Sequence, residues 1–200
     1  MNIKEMVDTI VDETRLRVHR NQIQRRVMDA VTSIHSSAFF EKDLQEDFVA
    51  LGDCSNTSFQ IPLPPRHRKF KAIQPMTLAR TPMRTKHPNG RYMATTMSNV
   101  RNYYNEAETD YYYAAGRIIN ITARMPPQAL YLAWYDTPEV ADPMLETWIM
   151  REYPQMVMDW AIARFWKRNG KESIAAQIER TLYSVDLQNL INNNATQTEF

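Results

Sequence analysis

The apolar positions change period twice along the chain. Ile3, Met6, Ile10 and Val11 recur at helical spacing behind Asn2, a good N-cap, with acids in the first turns. A second helix is predicted from Asn21, as cap, to about Ser36, with Ile23, Val27, Val31 and Ile34 on one stripe. Between them Arg15, Arg17, Arg20, Arg25 and Arg26 form a basic elbow. From Ala38 the runs shorten. Phe39-Phe40, Phe48 to Leu51 and Phe59 to Ile61 are aromatic and β-branched, divided by Gly52-Asp53 and by Pro62, Pro64 and Pro65. Tyr111 to Tyr113, Ile118 to Thr122 and Ala129 to Trp134 read as strands, with turns at Ala115-Gly116 and Met125-Pro126-Pro127. Such short, punctuated runs predict an antiparallel sheet rather than βαβ units. The polar stretch Thr81 to Asn102, with His87-Pro88-Asn89-Gly90 as turn, reads as a long hairpin or exposed loop.

Helical spacing returns after Pro143. Met144 to Arg151 makes a short helix, and Pro154 suits the first position of the next. Gln155 to Arg168 is apolar on nearly every face, which predicts burial on most sides. Asn169-Gly170 closes it through a left-handed cap, and a last helix runs from Lys171 to about Asn192. The expected fold class is α+β, mainly α: a helical bundle of two N-terminal and about three C-terminal helices with a small antiparallel sheet inserted. Residues 1–192 form a single domain, divided into helices at 1–37, a β-rich insertion at 38–136 and helices at 143–192. Residues 193–200 are expected to be a flexible tail.

The last helix carries two apolar stripes. At about 100° per residue, Ile174, Ile178, Leu182 and Val185 share one side; Tyr183, Leu187, Leu190 and Ile191 fall on the other. A helix needs one stripe for its own core, so the second is expected to stay uncovered and serve as a docking face.

Composition narrows the chemistry. The 200 residues include 44% hydrophobic ones, enough for a core, and carry a formal charge of +1, which gives no global field for a polyanion. No apolar run approaches 18 residues, so no membrane partner is expected. Met1 to Arg15 shows no signal-peptide pattern. Four glycines leave little for phosphate-cradling loops. The lone Cys54 has no disulfide partner, which fits a reducing compartment. His19, His35, His67 and His87 are dispersed without metal spacing. The acids Glu106, Glu108 and Asp110 are only a weak hint of a paired-carboxylate hydrolase. No catalytic residue, metal site or cofactor is therefore expected, and no enzyme.

Charge is segregated none the less. Cys54 to Asn105 holds no acid but nine bases, among them Arg66, Arg68, Lys69, Lys71, Arg84, Lys86 and Arg91. Met125 to Ala163 holds six acids, including Asp136, Glu139 and Asp142, against Arg151 alone. Opposed blocks suit head-to-tail self-association, with these residues facing a neighbouring subunit or a channel. The rival readings are nucleic-acid contact by the basic segment 66–91 and neutralisation within one subunit.

Ile121 to Leu130, with its Pro126-Pro127 turn, precedes Thr147-Trp148, Tyr153-Pro154, an apolar helix holding Trp160-Ala161 and a final helix. In order and spacing this resembles the head-to-tail adaptor (connector, tail accessory factor) proteins of short-tailed bacteriophages, over Tyr111 to Asn192. Pro126, Pro127, Thr147, Trp148, Tyr153 and Pro154 carry the likeness. The resemblance implies a homo-oligomeric ring, usually of twelve copies, under the portal protein. It implies a structural role in the virion neck, with assembly in the host cytoplasm. The ring would extend the channel for genomic DNA, passed without sequence specificity, and offer a platform to the tail tube or nozzle protein. It also implies portal docking by the last helix and tail, here Tyr183, Leu187, Leu190, Ile191 and Phe200.

Overall fold

In this computed structural model, residues 1–52, 55–96 and 109–195 are described. The chain divides into a helical unit, Met1–Asp43 with Thr137–Phe200, and a β unit, Leu44–Asp136. In the helical unit, α1 (Ile3–Thr14) opens on a complete capping box. The Asn2 carboxamide oxygen accepts from the Glu5 N–H, and the Glu5 carboxylate accepts from the Asn2 N–H. A 3-10 turn at Arg17–His19 leads into α2 (Arg20–His35), which begins without a side-chain cap; Asn21 lies inside the helix. Then come α3 (Trp148–Glu152), α4 (Pro154–Arg168), α5 (Glu172–Thr181), a π-helical stretch (Leu182–Asp186) and α6 (Leu187–Asn194). Ile3, Met6, Ile10, Val27, Ile149 and Val157 meet in one fully buried apolar cluster.

The β unit has strands β1 (Leu44–Ala50), β2 (Ser58–Pro62), β3 (His67–Met76), β4 (Met93–Ala94), β5 (Tyr111–Ala115), β6 (Ile118–Thr122) and β7 (Ala129–Asp136). They form two sheets, ordered β1-β7-β3 and β2-β6-β5-β4, antiparallel except for the β4–β5 pair. Ile61, Ile119 and Ile121 of one sheet and Phe70, Ile73 and Leu130 of the other share one apolar cluster. The inward side chains of both sheets thus close a core of their own.

This corrects the expected fold class. The chain is 43% helical and 25% strand, with a three-stranded and a four-stranded sheet, rather than a helical bundle with one small inserted sheet. The difference comes from β3. Its first half, His67 to Lys71, reads as a basic surface stretch, yet Phe70 and, past a register shift, Ile73 turn into the apolar cluster between the sheets. With β3 present, β7 becomes a central strand and the β region has apolar layers enough for two sheets.

Of the segment read as a long hairpin or exposed loop, the described part, 81–96, is anchored at Lys86 and Met93, and 97–102 lie outside the described residues. Asp110, buried and at φ 73°, accepts the Lys86 N–H at 2.6 Å and the Arg124 N–H at 2.8 Å through its carboxylate. Its backbone oxygen takes the Met93 N–H at 3.0 Å. The chain end is also more ordered than expected up to residue 195. α6 extends to Asn194, whose carboxamide donates to the Tyr153 hydroxyl, and Ala195 bridges to Phe40.

Candidate functional site

The last helical rod holds the largest departure from the sequence reading. The Leu187 N–H donates to the oxygen of Leu182, five residues back, so the rod passes through a π-turn. One extra residue in a turn rotates everything after it by about 100° relative to an α-helix. Leu182 and Leu190, placed on different stripes by uninterrupted α periodicity, therefore return to the same side. Both are buried in the helical unit with Ala175, and Leu187 and Ile191 pack half-buried against that cluster. The expectation that Tyr183, Leu187, Leu190 and Ile191 form an uncovered docking face is corrected: the unit's own core covers most of it. What remains outside is Ile174, Val185 and Tyr183, exposed by 42%, 48% and 41%. Phe200 lies outside the described residues.

The charge blocks are partly neutralised within the β unit. Arg66 pairs with Asp136 at 3.3 Å, so these two are partners in one subunit rather than halves of a contact between subunits. Lys69 and Lys71 are exposed on β3, an edge strand that also carries Pro75 and two register shifts. Lysine, proline and bulges on an edge blunt pairing with another sheet. Arg68 is half-buried; Arg84, Lys86 and Arg91 are exposed on either side of the His87-to-Gly90 turn. His67 stacks on Phe70 with ring centroids 4.1 Å apart, and burial lowers its pKa below the ordinary 6.5.

In the helical unit Glu139 and Asp142 lie exposed in the stretch before α3. The motif residues there are joints of that unit. Thr147 caps α3 by accepting the Met150 N–H, and Pro154 takes the first turn of α4. Trp148 packs edge-on against Phe40, Tyr153 and His35, while its indole N–H donates to Asp43. Pro126 and Pro127 precede β7 in the β unit. Of the hydrolase acids, Asp110 is committed to backbone N–H groups, and Glu106 and Glu108 lie outside the described residues, as do Cys54 and Arg101. Among the described residues no group of three His, Cys, Asp or Glu is placed to hold a metal.

One feature escaped the sequence reading. A cleft of about 400 Å³ in the helical unit is lined by Arg26 of α2, Arg164, Lys167 and Arg168 of α4, Glu179 of α5 and Tyr183. Arg26 donates to Asp29 at 2.8 Å and Lys167 pairs with Glu179 at 3.3 Å. The Arg164 guanidinium lies 5.7 Å from the centre of the Trp160 ring, which Tyr183 meets edge-on at 5.3 Å. The signal was present in Arg26 of the basic elbow and in Arg164, which interrupts an apolar helix. Nothing in the sequence joined the two.

No protein-family model and no curated protein sequence matches the chain. No helix among the described residues is long and apolar enough to cross a membrane.

Proposed function

We propose that this chain is a structural head-to-tail adaptor of a short-tailed phage neck, without catalysis. Copies form a ring, of twelve by the resemblance, that docks on the portal protein, extends the DNA channel and presents the attachment platform for the tail. The observation that carries the reading is the role of the motif residues. Thr147, Trp148, Tyr153 and Pro154, on which the resemblance rests, are the joints of the helical unit, and Tyr153 reaches Asn194 at the far end of the rod. A likeness in residues that set architecture supports a shared architecture better than one in surface positions. Docking on the portal is assigned to the rod's side chains left outside the core, Ile174, Tyr183 and Val185, in place of Leu190. Negative-stain imaging of the purified chain mixed with its portal protein tests the proposal. Ring-on-ring particles are expected; a mixture without rings overturns it.

A second reading, a DNA-binding module using 66–91, is favoured by the exposed Arg84, Lys86 and Arg91. Affinity for short duplex DNA that falls steeply with salt is its signature, and a flat response removes it.

A further inference from the structure

The cations lining the cleft of the helical unit outnumber the acids that pair with them. Arg26 is held by Asp29 and Lys167 by Glu179, whereas Arg164 and Arg168 have no carboxylate in ion-pair range among the described residues. Basic side chains near the end of a helix ordinarily answer its free carbonyls and its negative pole. In α4 the carbonyls are already served. The oxygens of Phe165, Trp166 and Lys167 take the N–H groups of Asn169, Gly170 and Lys171, and Phe165 also takes the Asn169 carboxamide. Arg164 moreover stands a turn before the helix end and is half-buried, with its guanidinium over the Trp160 ring. Withdrawing a guanidinium from water without a counter-charge is costly, and a bound anion removes that cost.

Three features define the anion. Arg164 and Arg168 lie one helical turn apart on one face and leave two positive charges unanswered. A phosphate monoester carries nearly two negative charges at neutral pH, and its oxygens match the planar fork of a guanidinium. Tyr183 lines the same cleft with an exposed ring, set edge-on to Trp160 at 5.3 Å. An aromatic ring beside a phosphate site is a platform for a stacked base. The volume of about 400 Å³ lies in the range of small-ligand sites.

We infer that the cleft binds a nucleoside 5′-phosphate, with the phosphate on Arg164 and Arg168 and the base against Tyr183. The chemistry is the same for a free nucleotide and for the 5′-phosphorylated end of a DNA strand. Side chains supply the grip, so the scarcity of glycine for phosphate-cradling loops is no obstacle. An acidic peptide fits less well, because each carboxylate carries one charge and two must arrive in register where one phosphate monoester suffices. Every residue involved belongs to the helical unit, so the inference does not depend on whether copies form a ring. Occupancy covers Tyr183 and leaves Ile174 and Val185 to the rod's other contacts.

Equilibrium dialysis of the full-length chain tests it, with deoxyadenosine 5′-phosphate, deoxyadenosine and inorganic phosphate as probes. The nucleotide is expected to bind about tenfold or more tighter than either fragment. Arg168→Gln and Tyr183→Leu alter exposed positions and are expected to keep the native helical signal. The first should weaken nucleotide binding about tenfold, and the second should bring it down toward that of inorganic phosphate. Lys69→Gln, in the β unit, should change nothing. A nucleotide that fails to bind, binding indifferent to Arg168→Gln, phosphate held as tightly as the nucleotide, or equal weakening by Lys69→Gln overturns the inference. Tighter binding of a hexaglutamate peptide also overturns it and transfers the cleft to an acidic protein segment. Short thymidine strands with a 5′-phosphate or a 5′-hydroxyl distinguish the two sources. Preference for the phosphorylated strand assigns a DNA end, and a nucleotide that binds where both strands fail assigns the free nucleotide; each supports the shared chemistry.

Discussion

The indole N–H of Trp148 donates to the Asp43 carboxylate at 2.7 Å, joining residues 105 positions apart. The same oxygen lies 2.8 Å from Nδ1 of His35, and all three side chains are buried. A buried carboxylate with two partners is costly to disturb from either side.

Asp43→Ala is expected to lower the unfolding free energy by about 3 kcal/mol, since it strands Trp148 Nε1 and the His35 ring. Trp148→Phe keeps the aromatic packing and leaves His35 in place, so it should cost about 1–2 kcal/mol. Urea denaturation with a helix-reporting signal measures both, and equal costs would contradict the shared-acceptor arrangement.

The π-turn makes a prediction about deletion. Removing Ser184 turns Leu182–Asp186 into ordinary α-helix while keeping Leu182 and Leu190 on the core side. The deletion variant should retain the native helical signal and fall within about 1 kcal/mol of the parent. Leu190→Ala should cost about 2–5 kcal/mol in either background, whereas exposed Val185→Ala should stay within about 0.5 kcal/mol. A harmless Leu190→Ala would return that residue to a docking role.

That comparison shows what the sequence held and what it did not. The cap at Asn2, the proline start of α4 and most strand positions rest on neighbours within a few residues, and all were readable. The two stripes of the final helix were also visible, but periodicity alone reads them as two faces. Leu182 of the first and Leu187, Leu190 and Ile191 of the second share one face across a phase jump, while Ile174, Val185 and Tyr183 stay outside it, and the five-residue hydrogen bond behind the jump has no signature in residue type. Long-range pairings were beyond reach for a different reason. Arg66 with Asp136, Asp43 with Trp148 and Arg26 beside Arg164 are brought together by topology, and charge patterning cannot distinguish a partner in the same subunit from one in the next.

Asp110 offers a local test in the β unit. Asp110→Ala removes the acceptor for two backbone N–H groups and should cost about 2–3 kcal/mol. Asp110→Asn tolerates the positive φ and keeps one acceptor oxygen, so it should cost less. Hydrogen exchange of the Lys86 and Arg124 amides should accelerate in the alanine variant well beyond the rest of the sheet; uniform acceleration would count against an anchoring role.

His67 gives the β unit a pH dependence. Its pKa is lowered by burial, so the unfolded chain takes up a proton where the folded one does not. Stability from this group is full above pH 6.5, its ordinary value, and declines as the pH falls below it. An NMR titration should place the His67 midpoint below that of an unfolded-state histidine, and His67→Phe should flatten this part of the stability profile.

The β unit leaves and rejoins the helical part of the chain through strands that are themselves neighbours, with Leu44 opposite Tyr135. Its two ends are therefore separated by about the width of one strand pair. Bridging residues 43 and 137 directly asks the helical unit to close only a short gap, with a small loop-closure entropy. The seam thus marks the one place where a short linker between residues 43 and 137 spans the whole β excursion of the chain.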